Sequence, residues 1–198
     1  MTFPGQHLCD EQLELWWAPD FLSAFEADAL FSHLSQSLAW QQGQVRMFGK
    51  WIDEPRLTVW YGDPGASYTY SGKQQQPLPW TPALLALKEK IETSSSTSFN
   101  SVLGNYYRSG QDSMGWHSDN EKELGIRPLI ASLNLGATRT FQLRMIKDKS
   151  RKLSLDLSHG SLLIMSGETQ HHWQHQIPKT KKAVGERLNF TFRLILTD

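Results

Sequence analysis

From residue 99 almost to the C-terminus, apolar and polar positions alternate with a period of two, the pattern of strands that bury one face. It predicts strands over 99–108, 128–135, 139–146, 152–157, 161–165 and 187–196, with a further short one at His117–Asp119. Turns fall at Ser109-Gly110, Gly136, Asp148-Lys149-Ser150 and His159-Gly160. Many short strands separated by turns at this spacing indicate a jelly roll or barrel.

The first half reads differently. Leu13, Leu15 and Trp17 alternate with polar or outward positions in a short strand that ends at Pro19. Ser23 and Glu26 form a capping box, and behind it Ala27, Leu30, Phe31, Leu34 and Leu38 recur at helical spacing. Thr81 followed by Pro82 is an N-cap with proline at the first helical position, and Leu84, Leu87 and Ile91 give a second helix its apolar stripe. That helix ends in the Ser94-Ser95-Ser96 loop, and two such helices would buttress one sheet of the core.

Residues 45–72 lie between the helices and carry Phe48-Gly49-Lys50-Trp51, which reads as a turn with exposed aromatics. Trp60-Tyr61-Gly62-Asp63-Pro64-Gly65 then breaks into a loop before Tyr68-Thr69-Tyr70. Aromatics interleaved with Lys50, Arg56 and Lys73 suit a surface that stacks bases and touches phosphates. They suit equally a β-hairpin whose aromatics cover the barrel. The expectation is a mainly β fold with flanking helices (α+β), a single domain over 1–198. Residues 1–98 would supply helices and a hairpin lid, and 99–198 the jelly-roll core.

Composition narrows the classes. At 198 residues one core can fold unaided. Twenty basic and twenty acidic residues cancel, so nucleic-acid binding would need a local patch. Two basic clusters qualify, Lys147, Lys149, Arg151 and Lys152, and then Lys179, Lys181 and Lys182. Cys9 is the single cysteine, which excludes an internal disulfide and a cysteine zinc cluster. No apolar run approaches about 18 residues and no basic-then-apolar leader opens the chain. A soluble, cytoplasmic monomer without a membrane partner is expected, with the nucleus an alternative in a eukaryote.

Candidate chemistry centres on Gly115-Trp116-His117-Ser118-Asp119-Asn120-Glu121. On an extended strand His117 and Asp119 project from one face. A third ligand would complete a two-histidine, one-carboxylate triad, which leaves adjacent positions open on Fe(II). The tripeptide alone is common in surface sequence. His171, His172 and His175 are the candidates for the third ligand, and spacing does not choose among them; His159, beside Gly160, reads as a turn residue. In the last strand Arg187, Asn189, Thr191 and Arg193 share one face, and Leu188, Phe190, Phe192 and Leu194 the other. If the apolar face packs on the helices, two arginines point into the barrel and require an anion, which a dicarboxylate supplies. Asn105 and Tyr107 repeat the arrangement on the 99–108 strand.

At this point the chain resembles the AlkB family of Fe(II)- and 2-oxoglutarate-dependent nucleic-acid dealkylases, especially its eukaryotic-type base-repair members. The matching stretches run in family order from about residue 45 to 193. They are Phe48-Gly49-Lys50-Trp51, Glu54-Pro55-Arg56-Leu57, Tyr61-Gly62-Asp63, Tyr68-Thr69-Tyr70-Ser71-Gly72, Phe99-Asn100, Asn105-x-Tyr107 and Trp116-His117-Ser118-Asp119-x-Glu121. After these come Ile130-Ala131-Ser132, Gly136-Ala137-Thr138-Arg139, His159-Gly160-Ser161-Leu162-Leu163-Ile164-Met165, Trp173-Gln174-His175 and Arg187-x-Asn189-Phe190-Thr191-Phe192-Arg193.

The resemblance implies that His117, Asp119 and His175 bind Fe(II), and that Asn105, Tyr107, Arg187, Asn189, Thr191 and Arg193 hold 2-oxoglutarate. It matches Tyr68 and Tyr70 to base-pocket aromatics and Phe48 to the finger inserted where a base is flipped out. Gly49, Lys50, Arg56, Asn120 and Glu121 complete the expected substrate contacts. Close relatives often carry a second Asp where this chain has Asn120, which bears on base preference. The implied reaction is O2-dependent oxidative demethylation of 1-methyladenine and 3-methylcytosine in DNA, single- or double-stranded, with RNA as a further substrate. The alternative is a 2-oxoglutarate oxygenase acting on a protein or small molecule.

Overall fold

The computed structural model describes residues 3–47, 49–66, 68–70 and 73–196. In chain order the elements are β1 (Gln6–Asp10), β2 (Leu13–Ala18), α1 (Ala24–Ser37), β3 (Gln41–Met47), β4 (Lys50–Gly62), β5 (Tyr68–Tyr70), β6 (Lys73–Gln75), α2 (Pro82–Ser95) and β7 (Ser101–Tyr107). Then come β8 (Met114–His117), a 3-10 turn at Lys122–Leu124, β9 (Ile130–Gly136), β10 (Arg139–Met145), β11 (Lys152–Leu157), β12 (Leu162–Ser166), α3 (Thr169–His172), β13 (Trp173–Ile177) and β14 (Arg187–Arg193). An eight-stranded sheet runs β1-β2-β12-β9-β14-β7-β4-β3, and a four-stranded sheet runs β11-β10-β13-β8. Two stacked antiparallel sheets make the expected jelly-roll type of fold.

Alternation in the large sheet decides what each face meets. Leu188, Phe190 and Phe192 of β14, with Leu133 and Leu135 of β9, pack in one cluster with Leu34 of α1 and Leu84, Leu87 and Ile91 of α2. Each fully buried side chain of this size contributes about 1.5–3 kcal/mol. The helices therefore cover one face, as the apolar stripe of the last strand requires. On the opposite face Leu15, Ile130, Leu163 and Met165 meet Phe141, Leu143, Leu155 and Trp173 between the sheets. Both helices start as their caps dictate. Glu26 N donates to Ser23 Oγ at 3.3 Å and Ser23 N to Glu26 Oε2 at 3.0 Å, while Leu84 N donates to Thr81 Oγ1 at 3.3 Å.

Three readings of the sequence need correction. First, the strand at His117–Asp119 is instead Met114–His117, and Asp119 lies beyond its end. Second, residues 60–62 are not a loop, because Trp60, Tyr61 and Gly62 pair with Leu103, Val102 and Ser101 of β7. Third, Trp173–Ile177 is a strand too short and too polar to show in the pattern. The expected hairpin is present, as Gln41–Met47 paired with Lys50–Gly62, rich in Gln and charge and so without the apolar period that would set its length. The large sheet also draws on both sides of residue 98, since β2 pairs with β12 and β4 with β7. No helix among the described residues is long and apolar enough to cross a membrane.

Candidate metal and cosubstrate site

His117 and His175 are directly opposite each other in the β8–β13 pair, with ring centroids 4.2 Å apart. His117 Nδ1 lies 2.8 Å from the Gly115 carbonyl. A carbonyl can only accept, so Nδ1 carries the proton and Nε2 keeps a free lone pair. That lone pair faces Asp119, with Nε2 3.7 Å from Oδ1, while His175 Nε2 is 4.0 Å from Oδ2. The three ligand atoms lie within 4.8 Å of one another, the one such grouping among the described residues.

The other histidines are occupied elsewhere. His171 Nε2 contacts the Ile126 carbonyl, His172 faces Glu168 at 3.8 Å, and His159 joins Gly136 N to Asp28. Of the three candidates only His175 meets His117 and Asp119.

Electrostatics suit a metal. Burial alone would raise the Asp119 carboxyl, but the charge of Arg193, with His175 and His117, holds it well below the usual carboxylate range. Burial and the neighbouring His117 push His175 down to about 3. The site thus brings one carboxylate and two imidazoles together, a donor set that fits a divalent iron.

The same cavity, of about 440 Å³, is lined by Asn105, Tyr107, Arg187, Asn189, Thr191 and Arg193. Cross-strand register places Arg187 opposite Tyr107 and Asn189 opposite Asn105. Arg187 is 1% exposed. Its Nη2 donates to Asn134 Oδ1 at 2.6 Å and its guanidinium lies 4.9 Å from the Tyr107 ring centroid, but Nε and Nη1 are buried with no hydrogen-bond partner. A buried cation with two unused donors fits a carboxylate ligand. Arg193 Nη2 is 3.0 Å from Asp119 Oδ1, so the second arginine lies at the Asp119 end of the cavity.

Asn189 spends its donors on Ser132 Oγ at 2.8 Å and the Leu133 carbonyl at 3.2 Å, while its Oδ1 receives Asn105 Nδ2 and Thr191 Oγ1 at 3.4 and 3.3 Å. It acts as the hub that orients its neighbours. Apolar Phe141, Leu157, Met165 and Ile177 form other walls of the cavity.

The substrate contacts expected from the sequence divide. Phe48 lies outside the described residues, and of Tyr68 and Tyr70 only the β5 backbone is described. Gly49, at φ 79°, turns the exposed hairpin tip beside Lys50; that left-handed conformation favours glycine. Glu121 lines the cavity, whereas Asn120 is exposed and does not.

Arg56 is a correction. It is not on a surface that touches phosphates but 4% exposed, bonded to Asn105 Oδ1 at 2.7 Å and paired with Glu54 at 3.3 Å. Strand alternation turns it into the cavity. Arg151 is likewise paired, with Asp10 and Glu11, which leaves Lys147, Lys149 and Lys152 as the exposed cations of that cluster.

Sequence reasoning missed Asn134, although a polar residue between Leu133 and Leu135, two after Ser132, was the signal for an inward-facing partner. It also missed Gln170, which accepts the Asp119 N–H, and nothing in its neighbours marks it.

The model of the 2OG-Fe(II) oxygenase superfamily matches residues 14–193. The chain belongs to that superfamily. Similar proteins include the alpha-ketoglutarate-dependent dioxygenase alkB homolog 3 of Bos taurus, 42% identical over 189 residues that cover 91% of this chain and 65% of the relative. The chain thus spans just under two thirds of that relative's length. The DNA oxidative demethylase ALKBH2 of Homo sapiens is 39% identical over 201 residues, covering 96% of this chain and 77% of the relative. The solved structure of OsALKBH1 overlays with a TM-score of 0.65 at 18% identity, covering 96% of this chain and 100% of that one, a likeness of fold. The His117, Asp119 and His175 cluster is arranged like the iron site of such an oxygenase.

Proposed function

We propose that this oxygenase removes alkyl groups from the ring nitrogens of nucleic-acid bases, 1-methyladenine and 3-methylcytosine in DNA first, with RNA as a further substrate. The observation that carries the reading is the convergence, on one cavity, of a two-histidine, one-carboxylate cluster and a buried arginine with two unpartnered donors. The relatives named as alkB homolog 3 and DNA oxidative demethylase support the choice of substrate.

His117, Asp119 and His175 would hold Fe(II), which when bound supplies the activation of dioxygen that no side chain can. Arg187 would take the far carboxylate of 2-oxoglutarate, deep in the cavity against Tyr107 and Asn134. Arg193, beside Asp119, would take the carboxylate at the metal end. Asn189 keeps Asn105 and Thr191 in place, and the apolar walls exclude water from the reacting atoms.

In balance, 2-oxoglutarate is oxidised to succinate and CO2, and one oxygen atom of O2 enters succinate. The other enters the N-methyl carbon, whose bond to nitrogen then breaks to release formaldehyde and the restored base. A base in a duplex must be flipped out to reach this cavity. Phe48 would fill the gap, Tyr68 and Tyr70 would stack on the base, and the exposed Lys50, Lys147, Lys149, Lys152, Lys179, Lys181 and Lys182 would follow phosphates.

The test is mass spectrometry of oligonucleotides that carry one 1-methyladenine or 3-methylcytosine, after incubation with protein, Fe(II) and 2-oxoglutarate. Loss of the methyl group with matching formaldehyde and succinate is expected. Succinate formed without any change in any oligonucleotide would move the substrate to another class.

A further inference from the structure

His117 and His175 are fixed by the ladder between β8 and β13, but Asp119 is not, because β8 ends two residues before it. A side chain does the work instead. Asp119 N donates to Gln170 Oε1 at 2.9 Å, and Ser118 Oγ donates to the Trp173 carbonyl at 2.9 Å. Both acceptors belong to α3 and the first residue of β13, two to five positions ahead of His175 in the chain. Gln170 is 1% exposed, and its amide has one orientation. Oε1 must face the N–H, which turns Nε2 towards Met165 Sδ at 3.4 Å, a weak acceptor.

A single helical turn has no stability of its own. α3 is held by Thr169, 1% exposed, whose Oγ1 accepts from Glu14 N at 2.9 Å on β2. The turn therefore braces three things together: the large sheet, the strand that carries His175 and the loop that carries Asp119. We infer that Gln170 is a positioning residue for the metal centre. It touches neither metal nor substrate, and it sets where the Asp119 backbone lies, and so where its carboxylate meets the two imidazoles. This rests on reading His117, Asp119 and His175 as the metal ligands.

The experiment titrates the metal-free full chain with Mn(II), a redox-silent probe, by electron paramagnetic resonance, for wild type, Gln170→Leu and Gln170→Glu. Leucine fills the space without an acceptor, and glutamate restores an acceptor oxygen at the same reach. Gln170→Leu should bind Mn(II) about 10–100-fold more weakly, the usual cost of losing a partner behind a metal ligand, and Gln170→Glu should stay close to wild type. A folded Gln170→Leu that binds as tightly as wild type overturns the inference. If Gln170→Leu fails to fold, Gln170→Glu decides: near-wild-type affinity supports the positioning role, and a loss of about tenfold or more contradicts it. Wild type that binds no Mn(II) would defeat the metal triad itself, a separate outcome.

Discussion

Arg193 Nη2 lies 3.0 Å from Asp119 Oδ1, so one guanidinium borders both the His117, Asp119 and His175 cluster and the cavity that Arg187 lines. Charge and hydrogen-bond geometry there can be separated. Arg193→Lys keeps the cation beside Asp119 and loses the planar fork. A hydrogen bond to a charged group contributes about 1.5–3 kcal/mol, which corresponds to roughly tenfold to a hundredfold in affinity. The variant should raise the KM for 2-oxoglutarate by that factor while Mn(II) affinity stays near wild type. Equal losses in the two titrations would mean that Arg193 serves the metal ligand alone.

Arg187 should act oppositely on stability with and without ligand. Burying a guanidinium carries a desolvation cost that an apolar side chain of similar volume avoids. Arg187→Met should therefore leave the ligand-free melting temperature unchanged or higher. In wild type 2-oxoglutarate should raise that temperature, and in Arg187→Met it should not. A variant that melts well below wild type yet still responds to 2-oxoglutarate would place the carboxylate elsewhere.

Acid tests the α1 cap. Hydrogen bonds from Lys90 and then Ser23 lower Glu26 from 4.5 to about 2. A carboxylate depressed on folding contributes stability that is complete above its unfolded value and lost as pH falls through its folded value. The window is from about 4.5 down to about 2. Wild type should melt above Glu26→Gln at neutral pH, and the gap should close across that window. A gap that persists at pH 2 would assign the difference to packing.

Two residues should separate by substrate. Extruding a base from a duplex costs a few kcal/mol in lost stacking unless a side chain fills the gap. Phe48→Ala should slow demethylation of duplex DNA and largely spare single strands, which have no stack to hold open. Tyr70→Ala removes a stacking partner for the base, a loss of about 1–3 kcal/mol, and should slow both. Equal losses on the two substrates for Phe48→Ala would leave it a packing residue.

The β-rich fold was legible because alternation in the second half is strong and the helix caps are explicit in Ser23, Glu26, Thr81 and Pro82. The inward face of β14 was legible for a physical reason: Leu188, Phe190 and Phe192 leave Arg187, Asn189, Thr191 and Arg193 no other side. What the sequence hid are features without a period. Asp119 sits in a loop fixed by a distant side chain, and β13 is a polar strand whose buried positions include a histidine. Arg56 was misplaced because Gln and charge along β3 and β4 resemble a solvated hairpin. Glu54 lets that arginine face inward, and the smallness of Gly43 makes room for the Glu54 carboxylate.

The most direct measurement of the central claim follows methyl loss from a 3-methylcytosine oligonucleotide, with Fe(II) and 2-oxoglutarate, for wild type, His175→Ala and His172→Ala. Wild type and His172→Ala should demethylate at similar rates, and His175→Ala should neither demethylate nor hold Mn(II). Activity that survives in His175→Ala and disappears in His172→Ala would contradict the account, because His172 faces Glu168 at 3.8 Å and lies outside the His117 and Asp119 cluster.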